Sequence, residues 1–215
     1  MATPASIGNF VSEIVKTRGG PANPTLYQFD VAPPSGAAAA FKANMLRFGF
    51  NFDRELRFLN YLNNEIQIPG VTFQNSEIRM PYKGLALKMA SAKVYNEMDI
   101  SFYCDTTAMP YKFFRAWMEW VGGTQQNQGY TQRSASVKHR TSIMRYYNDY
   151  TCDMTITKLE KYGNKEKGEY ASPFSVRLIK AWPFTISSVP LSSASANGLV
   201  KVTVSLYYEY SAPYK

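Results

Sequence analysis

Two carboxylate pairs, Glu97/Asp99 and Asp149/Asp153, come nearest to a spacing that serves acid–base chemistry. Each pair is expected on one face of a strand, where one carboxyl could donate a proton and the other accept it. That division needs surroundings that push the two pKa values apart, and no neighbour in sequence supplies them. The same spacing describes a solvated strand face. His139 is the one histidine, between Lys138 and Arg140 in a basic stretch with no orienting carboxylate nearby, which leaves no Ser–His–Asp arrangement. Cys104 and Cys152 are far apart and fall on the apolar side of expected strands; with a single histidine they make no metal set and read as small buried hydrophobes. No GxxxxGK[ST] loop occurs. Arg133, Lys138, Arg140 and Arg145, with Tyr130, Tyr146 and Tyr147, could grip single-stranded nucleic acid, but no reader motif accompanies them. Neither catalysis nor a cofactor or metal is expected.

The elements that must carry these residues centre on 93–123, KVYNEMDISFYCDTTAMPYKFFRAWMEWVGG. Val94, Met98, Ile100, Phe102 and Cys104 alternate with Tyr95, Glu97, Asp99, Ser101 and Tyr103, the period of a strand with one buried face. The period then changes: Phe113, Trp117 and Trp120/Val121 recur every three to four residues, with Phe114 and Met118 beside them. Pro110 suits the first turn of that helix, and Gly122 and Gly123 suit its end. A strand feeding one helix in an otherwise strand-like chain predicts a sheet packed on that helix.

Residues 1–24 read as an arm, with Ile7, Phe10, Val11, Ile14 and Val15 at helical spacing before Gly19-Gly20-Pro21. Residues 26–31 form a strand closed by Pro33-Pro34, and the SGAAAAF tract is too short to assign. FLNYLNNEIQIPG reads as a helical turn leading into a strand. Residues 71–81 are extended with mixed faces, which fits a solvated surface hairpin or one that lies on a neighbour. A polar, Gln-rich loop spans 124–141. Strands follow at 150–156, 174–187 and 200–210, the first two joined through KYGNKEKGEY. The last is the cleanest: Val200, Val202, Val204, Leu206, Tyr208 and Tyr210 oppose Lys201, Thr203, Ser205, Tyr207 and Glu209. Such a sheet holds a core on one side and meets water on the other.

At 215 residues the chain suits one domain, 25–215, behind the 1–24 arm. A 15% aromatic content with 16 tyrosines fits strands and wet interfaces. The net charge of +8 fits nucleic acid, a membrane surface or an acidic protein partner alike. No signal-peptide pattern opens the chain and no apolar run is long enough to span a membrane, so folding in a reducing cytoplasm without stable membrane insertion is expected.

Three blocks carry a resemblance. LYQFDV precedes LNNEIQIPGVTFQNSEIRMPYKG; the 93–123 block supplies strand, acidic turn and an F-x-x-W helix ending near glycine; and VRLIKAWPFTISSVPLSSASANGLVKVTVSLYYEY runs through Trp182-Pro183 to an aromatic-ended final strand. In this order they resemble the tail tube proteins of T-even-like contractile-tailed bacteriophages, related to type VI secretion inner tubes. Residues near 33–56, 124–141 and 158–170 read as insertions that decorate the outer wall or ring contacts.

The resemblance implies a mainly β (α+β) fold, a β-sandwich or barrel with one main flanking helix, whose strands join an inter-subunit barrel around a lumen. It implies homo-hexameric rings stacked into a tube, a virion component assembled in the host bacterial cytoplasm. A tail sheath, a tape-measure protein, a baseplate tube initiator and a tail terminator are the implied partners, and double-stranded DNA passes through without sequence-specific binding. Glu97, Asp99, Ser101, Lys201, Thr203, Ser205 and Glu209 are then expected on the lumen or wet sheet face. Ile7, Phe10, Val11, Phe73, Ile78, Met80 and Lys83 are expected at subunit contacts. Val202, Val204, Leu206, Phe102, Phe113, Trp117 and Trp182 are expected in the core. Strongly basic walls would hold DNA by counterion release, so the excess charge is expected outside the lumen or in loops. A tube initiator, a secretion-system inner tube and, in another class, a single-stranded nucleic-acid binder are the alternatives.

Overall fold

The computed structural model describes residues 22–79, 84, 86–122, 144–160, 171–189, 191 and 199–214. Ile7, Phe10 and Val11 of the arm, Met80 and Lys83, all expected at subunit contacts, and His139 and the Gln-rich loop lie outside the described residues.

The fold is mainly β. Nine strands are described: β1 Tyr27–Val31, β2 Asn63–Ile66, β3 Val71–Arg79, β4 Ala86–Tyr95, β5 Met98–Tyr103, β6 Cys152–Glu160, β7 Ala171–Ile186, β8 Lys201–Tyr207 and β9 Tyr210–Tyr214. The helices are α1 Ala38–Arg47, α2 Phe52–Leu62, α3 Met109–Gly122 and the single turn α4 Tyr147–Tyr150. One antiparallel sheet runs β1-β6-β7-β8-β5-β2, with β9 also on β7; β3 and β4 form a separate two-stranded ribbon. The main sheet curls until its edges approach: the Tyr27 hydroxyl on β1 donates to the Asn63 carbonyl at the start of β2, 3.3 Å away. Among the described residues β1 pairs only with β6 and β2 only with β5, so no ladder closes the curl into a barrel.

Alternation sets the inner face. β5 and β8 pair Met98↔Leu206, Ile100↔Val204 and Phe102↔Val202, three rungs of fully or almost fully buried side chains. β1 and β6 add Phe29↔Ile156 and Val31↔Met154. α3 lies on this face with Phe113, Phe114, Ala116, Trp117, Trp120 and Val121 turned inward. Trp117 is fully buried, and its indole Nε1 donates to the Tyr150 carbonyl at 2.8 Å.

Residues 33–56 are not a decoration. They form α1 and the start of α2, and Phe41, Met45, Phe50 and Phe52 are buried against α3. Phe41 meets Trp117 edge-on at 5.8 Å, and Phe50 meets Phe113 at 4.8 Å. Alanine supplies helix propensity without a visible stripe, so the Ala-rich tract conceals a helix whose core contacts are Phe41 and Met45, one turn apart. α1 closes at Gly49, whose φ of +79° suits glycine and turns the chain so that the next N–H, of Phe50, reaches the Met45 carbonyl at 3.0 Å.

Two expected strands break. The alternation of 93–104 divides at Asn96 and Glu97: β4 belongs to the ribbon and β5 to the main sheet. The final strand divides at Tyr208 and Glu209, where β8 gives way to β9, both on β7. Opposite that break β7 carries an extra residue: Cys152 and Met154 face Ala181 and Leu178. Lys180 sits there at φ +53°. Its N–H is taken by Asp153 Oδ1 at 3.0 Å, and its ammonium lies 3.0 Å from Glu209. The bulge turns the sheet a corner.

Candidate lumen face

The outward side of β5 and β8 follows from the same register. Tyr103↔Lys201, Ser101↔Thr203 and Asp99↔Ser205 form three polar rungs behind the three buried ones. The Ser205 hydroxyl donates to Asp99 Oδ1, and the Ser101 and Thr203 hydroxyls lie 3.2 Å apart. Lys201 stands 3.8 Å from Glu65 on β2. The face thus carries two carboxylates, Glu65 and Asp99, against one ammonium, Lys201. Its side chains hydrogen-bond one another across the strands, which fixes a hydroxyl-rich surface. Hydroxyls and a hydrogen-bonded carboxylate make this a polar, weakly charged surface.

Five of the seven residues expected on this face are therefore together: Asp99, Ser101, Lys201, Thr203 and Ser205. Ser101 is only 5% exposed within the subunit, covered by its neighbours on the rungs. Glu97 is exposed in the two-residue link between β4 and β5, off the ladder. Glu209 is at the β8–β9 corner, paired with Lys180. Sequence reasoning passed over Glu65, which only the β2–β5 pairing brings to the face. It also left out Tyr103 and Tyr207, although their parity matches Ser101 and Ser205. Trp182, expected in the core, is half-buried on the outward side, 5.7 Å from both Tyr150 and Tyr207; Tyr207 stacks on Phe184 at 4.0 Å. Leu178, Ala181 and Pro183 of β7 take the inward positions instead.

The other sequence candidates are dispersed. Asp149 is in α4, while Asp153 is on β6, bound to Arg177 at 2.7 Å. Arg145 stacks 3.5 Å over the Trp120 ring. Cys152 is buried, and burial followed by the Asp153 charge raises its thiol pKa; Cys104 is half-buried beyond the end of β5 and is raised for the same kinds of reason. Both are free thiols. Among the described residues no group of three or more His, Cys, Asp or Glu could hold a metal, and no helix is long and apolar enough to cross a membrane.

Asp105 sets the entry to α3. It accepts the Met109 N–H at 2.9 Å and the Thr107 hydroxyl. Partial burial works to raise its carboxyl pKa, but the hydrogen bonds from Thr107 and the backbone outweigh it and hold the group below the usual carboxylate range. A depressed folded-state pKa contributes stability above the unfolded-state value, and that contribution is lost as pH falls through the folded value. Asp105→Asn is expected to remove this part of the acid limb, so that the melting temperatures of variant and wild type converge as pH falls through the depressed folded-state value. Thermal melts from pH 7 to pH 2.5 check it; parallel curves throughout would show that the carboxylate charge is not what acts.

The ribbon is the second surface that the sequence singled out. Among the described residues β3 and β4 pair with each other alone, and their middle and outer residues are exposed. Phe73 is 60% and Ile78 50% exposed. The ladder puts them on opposite faces, Phe73 with Lys93 and Ile78 with Leu87. The mixed faces of the sequence are thus two apolar patches, one near the base and one near the tip.

The described fold is thus a curled antiparallel sheet with helices covering one side, a hydroxyl-rich other side and a projecting ribbon with two apolar patches. The family model "Phage tail tube protein" matches residues 22–212, and the chain belongs to that family. Among solved structures, a chain of the sheath–tube complex of a PVC extracellular contractile injection system shares the fold at a TM-score of 0.53 and 12% identity, with 98% of each chain covered. A chain of the anti-feeding prophage baseplate aligns over 71% of this chain and 80% of its own, at 12% identity and a TM-score of 0.48. Hcp1 from the E. coli EAEC 042 pathovar aligns over 87% and 89%, at 10% identity and a TM-score of 0.43. Comparison with curated protein sequences gives no match.

Proposed function

We propose that this chain is the structural subunit of the inner tail tube of a contractile phage tail. Hexameric rings of it stack into a tube whose lumen conducts double-stranded DNA, and the subunit acts by assembly rather than catalysis. The observation that carries the reading is the hydroxyl face of β5 and β8, with two carboxylates to one ammonium in a chain of net charge +8. Such a wall hydrates DNA without binding it, because it releases few counterions. Arg47, Arg54 and Arg57 of α1 and α2 are exposed on the helical side, away from this face. A sheath, a tape-measure protein, a tube initiator and a terminator are the partners of this reading, and the virion its location. The fold shared with a tube of an injection system keeps one second reading, an inner tube that carries protein cargo instead of DNA.

Thr203→Cys tests the wall directly. In assembled tubes a thiol at 203 is expected to resist a bulky polyethylene-glycol maleimide and to react once the tubes are dissociated. Tyr61→Cys, on the exposed side of α2, is expected to react in both states. Equal reactivity of position 203 in tubes and free subunits would contradict the assignment.

A further inference from the structure

We propose that in the free subunit the apolar stripe of the N-terminal arm seats in a groove beside α3 of the same chain. The proposal goes beyond the tube reading and does not depend on it. The groove, about 650 Å³, lies between the first turns of α3 and the strand ends, and Cys104, Tyr111, Met118, Ile186, Val189 and Val200 line it. Leu191 stands at its mouth, 82% exposed. The two charged groups of the lining are engaged at home, Asp105 with the α3 entry and Arg115 with Glu119 at 2.9 Å. What the groove offers an occupant is therefore apolar surface.

The arm supplies a matching stripe. Ile7, Phe10, Val11, Ile14 and Val15 fall at the spacing of one helix face, while Asn9, Ser12, Glu13 and Lys16 fall on the other. A helix this short gains little from its own hydrogen bonds and needs an apolar surface to lie on. The arm and the groove would thus each cover apolar surface that the other leaves open to water.

Position decides that the seat is in the same chain. The root of the arm is pinned to the end of β6: the Lys158 ammonium donates to the Asn23 and Leu26 carbonyls, and Glu160 Oε1 accepts the Asn23 N–H at 2.9 Å. From there β1 runs toward the corner at Lys180, where the Ala32 N–H donates to the carbonyl of Asp153, whose side chain holds the Lys180 N–H. The root therefore lies at the end of the subunit away from the corner, and the groove lies at that end too. Tyr27 touches Asn63, Asn63 pairs with Phe102, and the Cys104 N–H just beyond donates at 2.8 Å to the carbonyl of Val200 in the groove wall. From Asn23 to Tyr27 and across the two strand spacings from β2 to β8, the way from root to groove is about 25 Å. Residues 16–22 reach about 23 Å when extended, and a helical 7–15 adds about 12 Å. A tether of this length gives the stripe an effective concentration at its own groove on the order of millimolar, far above that of a second copy in dilute solution.

Cys104 reports on the seat in the full chain, since it is half-buried in the groove wall and Cys152 is buried. Below the concentration of assembly, Phe10→Asp with Ile14→Asp is expected to raise the rate at which a small maleimide labels Cys104 by about tenfold, the factor for a seat filled about nine-tenths of the time. A pair of thiols then places the stripe. In a Cys104→Ala background, Phe10→Cys with Leu191→Cys is expected to form a bridge within one chain on treatment with a short bismaleimide. Phe10→Cys with Glu97→Cys, at the Met98 end of β5 and about 20 Å from the groove end, is expected to form none. An unchanged Cys104 rate with no more 10–191 bridge than 10–97 bridge would overturn the seat. Covalent dimer in place of the internal bridge would give the groove to a second copy's arm and overturn the assignment to one chain. Both readouts are taken on free subunits, so their failure leaves the tube reading intact, and electron microscopy of the unmodified chain tests that reading separately.

Discussion

Trp117→Ala will destabilise the subunit by about 3–5 kcal/mol, which is a large share of the stability of an ordinary domain. The side chain is completely buried and sits among Phe41 at 5.8 Å, Phe113 at 5.7 Å and Phe114, which stacks parallel at 6.4 Å. Removal opens a cavity where α1, α3 and the sheet meet. It also orphans the Tyr150 carbonyl that receives the indole N–H. Trp117→Phe separates the two losses, because it keeps most of the packing and loses only the hydrogen bond; about 1–3 kcal/mol is expected for it. Urea unfolding followed by far-ultraviolet circular dichroism, at concentrations below assembly, measures both. A cost for the alanine variant no larger than that for phenylalanine would show that the aromatic cluster is not the centre of the core.

The second large effect falls on assembly and leaves the fold alone. Ile78→Asp with Leu87→Asp places two carboxylates on the apolar tip face, where they stay hydrated in the free subunit and lose water at a contact. The double variant is expected to remain monomeric at concentrations where the unmodified chain forms tubes. Its melting temperature as a monomer is expected to stay within a few degrees, since among the described residues the ribbon strands pair only with each other. Lys88→Ala, on the reverse face, is expected to leave assembly in place. Tubes formed normally by the aspartate variant would show that this face is not a subunit contact.

Periodicity made the centre of the fold legible. The period of two along β5 and β8 gave both the buried rungs and the polar rungs behind them, and the change to helical spacing located α3. Parity alone does not say where a ladder stops. Val94 and Met98 keep the same phase across Asn96 and Glu97, so one strand was expected where the chain crosses from ribbon to sheet. Glu97 and Glu209 were assigned to the polar face for that reason; both lie where hydrogen bonding has already ended or turned a corner. Glu65 was invisible for a different reason: a four-residue strand has too few positions to show a period, and only its pairing with β5 brings it beside Lys201. The bulge at Lys180 left no signal either, since its partners come from elsewhere in the chain, Asp153 on β6 and Glu209 at the β8–β9 corner.

Negative-stain electron microscopy of the purified chain across a concentration series tests the tube reading most directly. Hollow tubes of uniform diameter built from six-membered rings, growing in length with concentration, are the expected result. Monodisperse monomer at every concentration would contradict it.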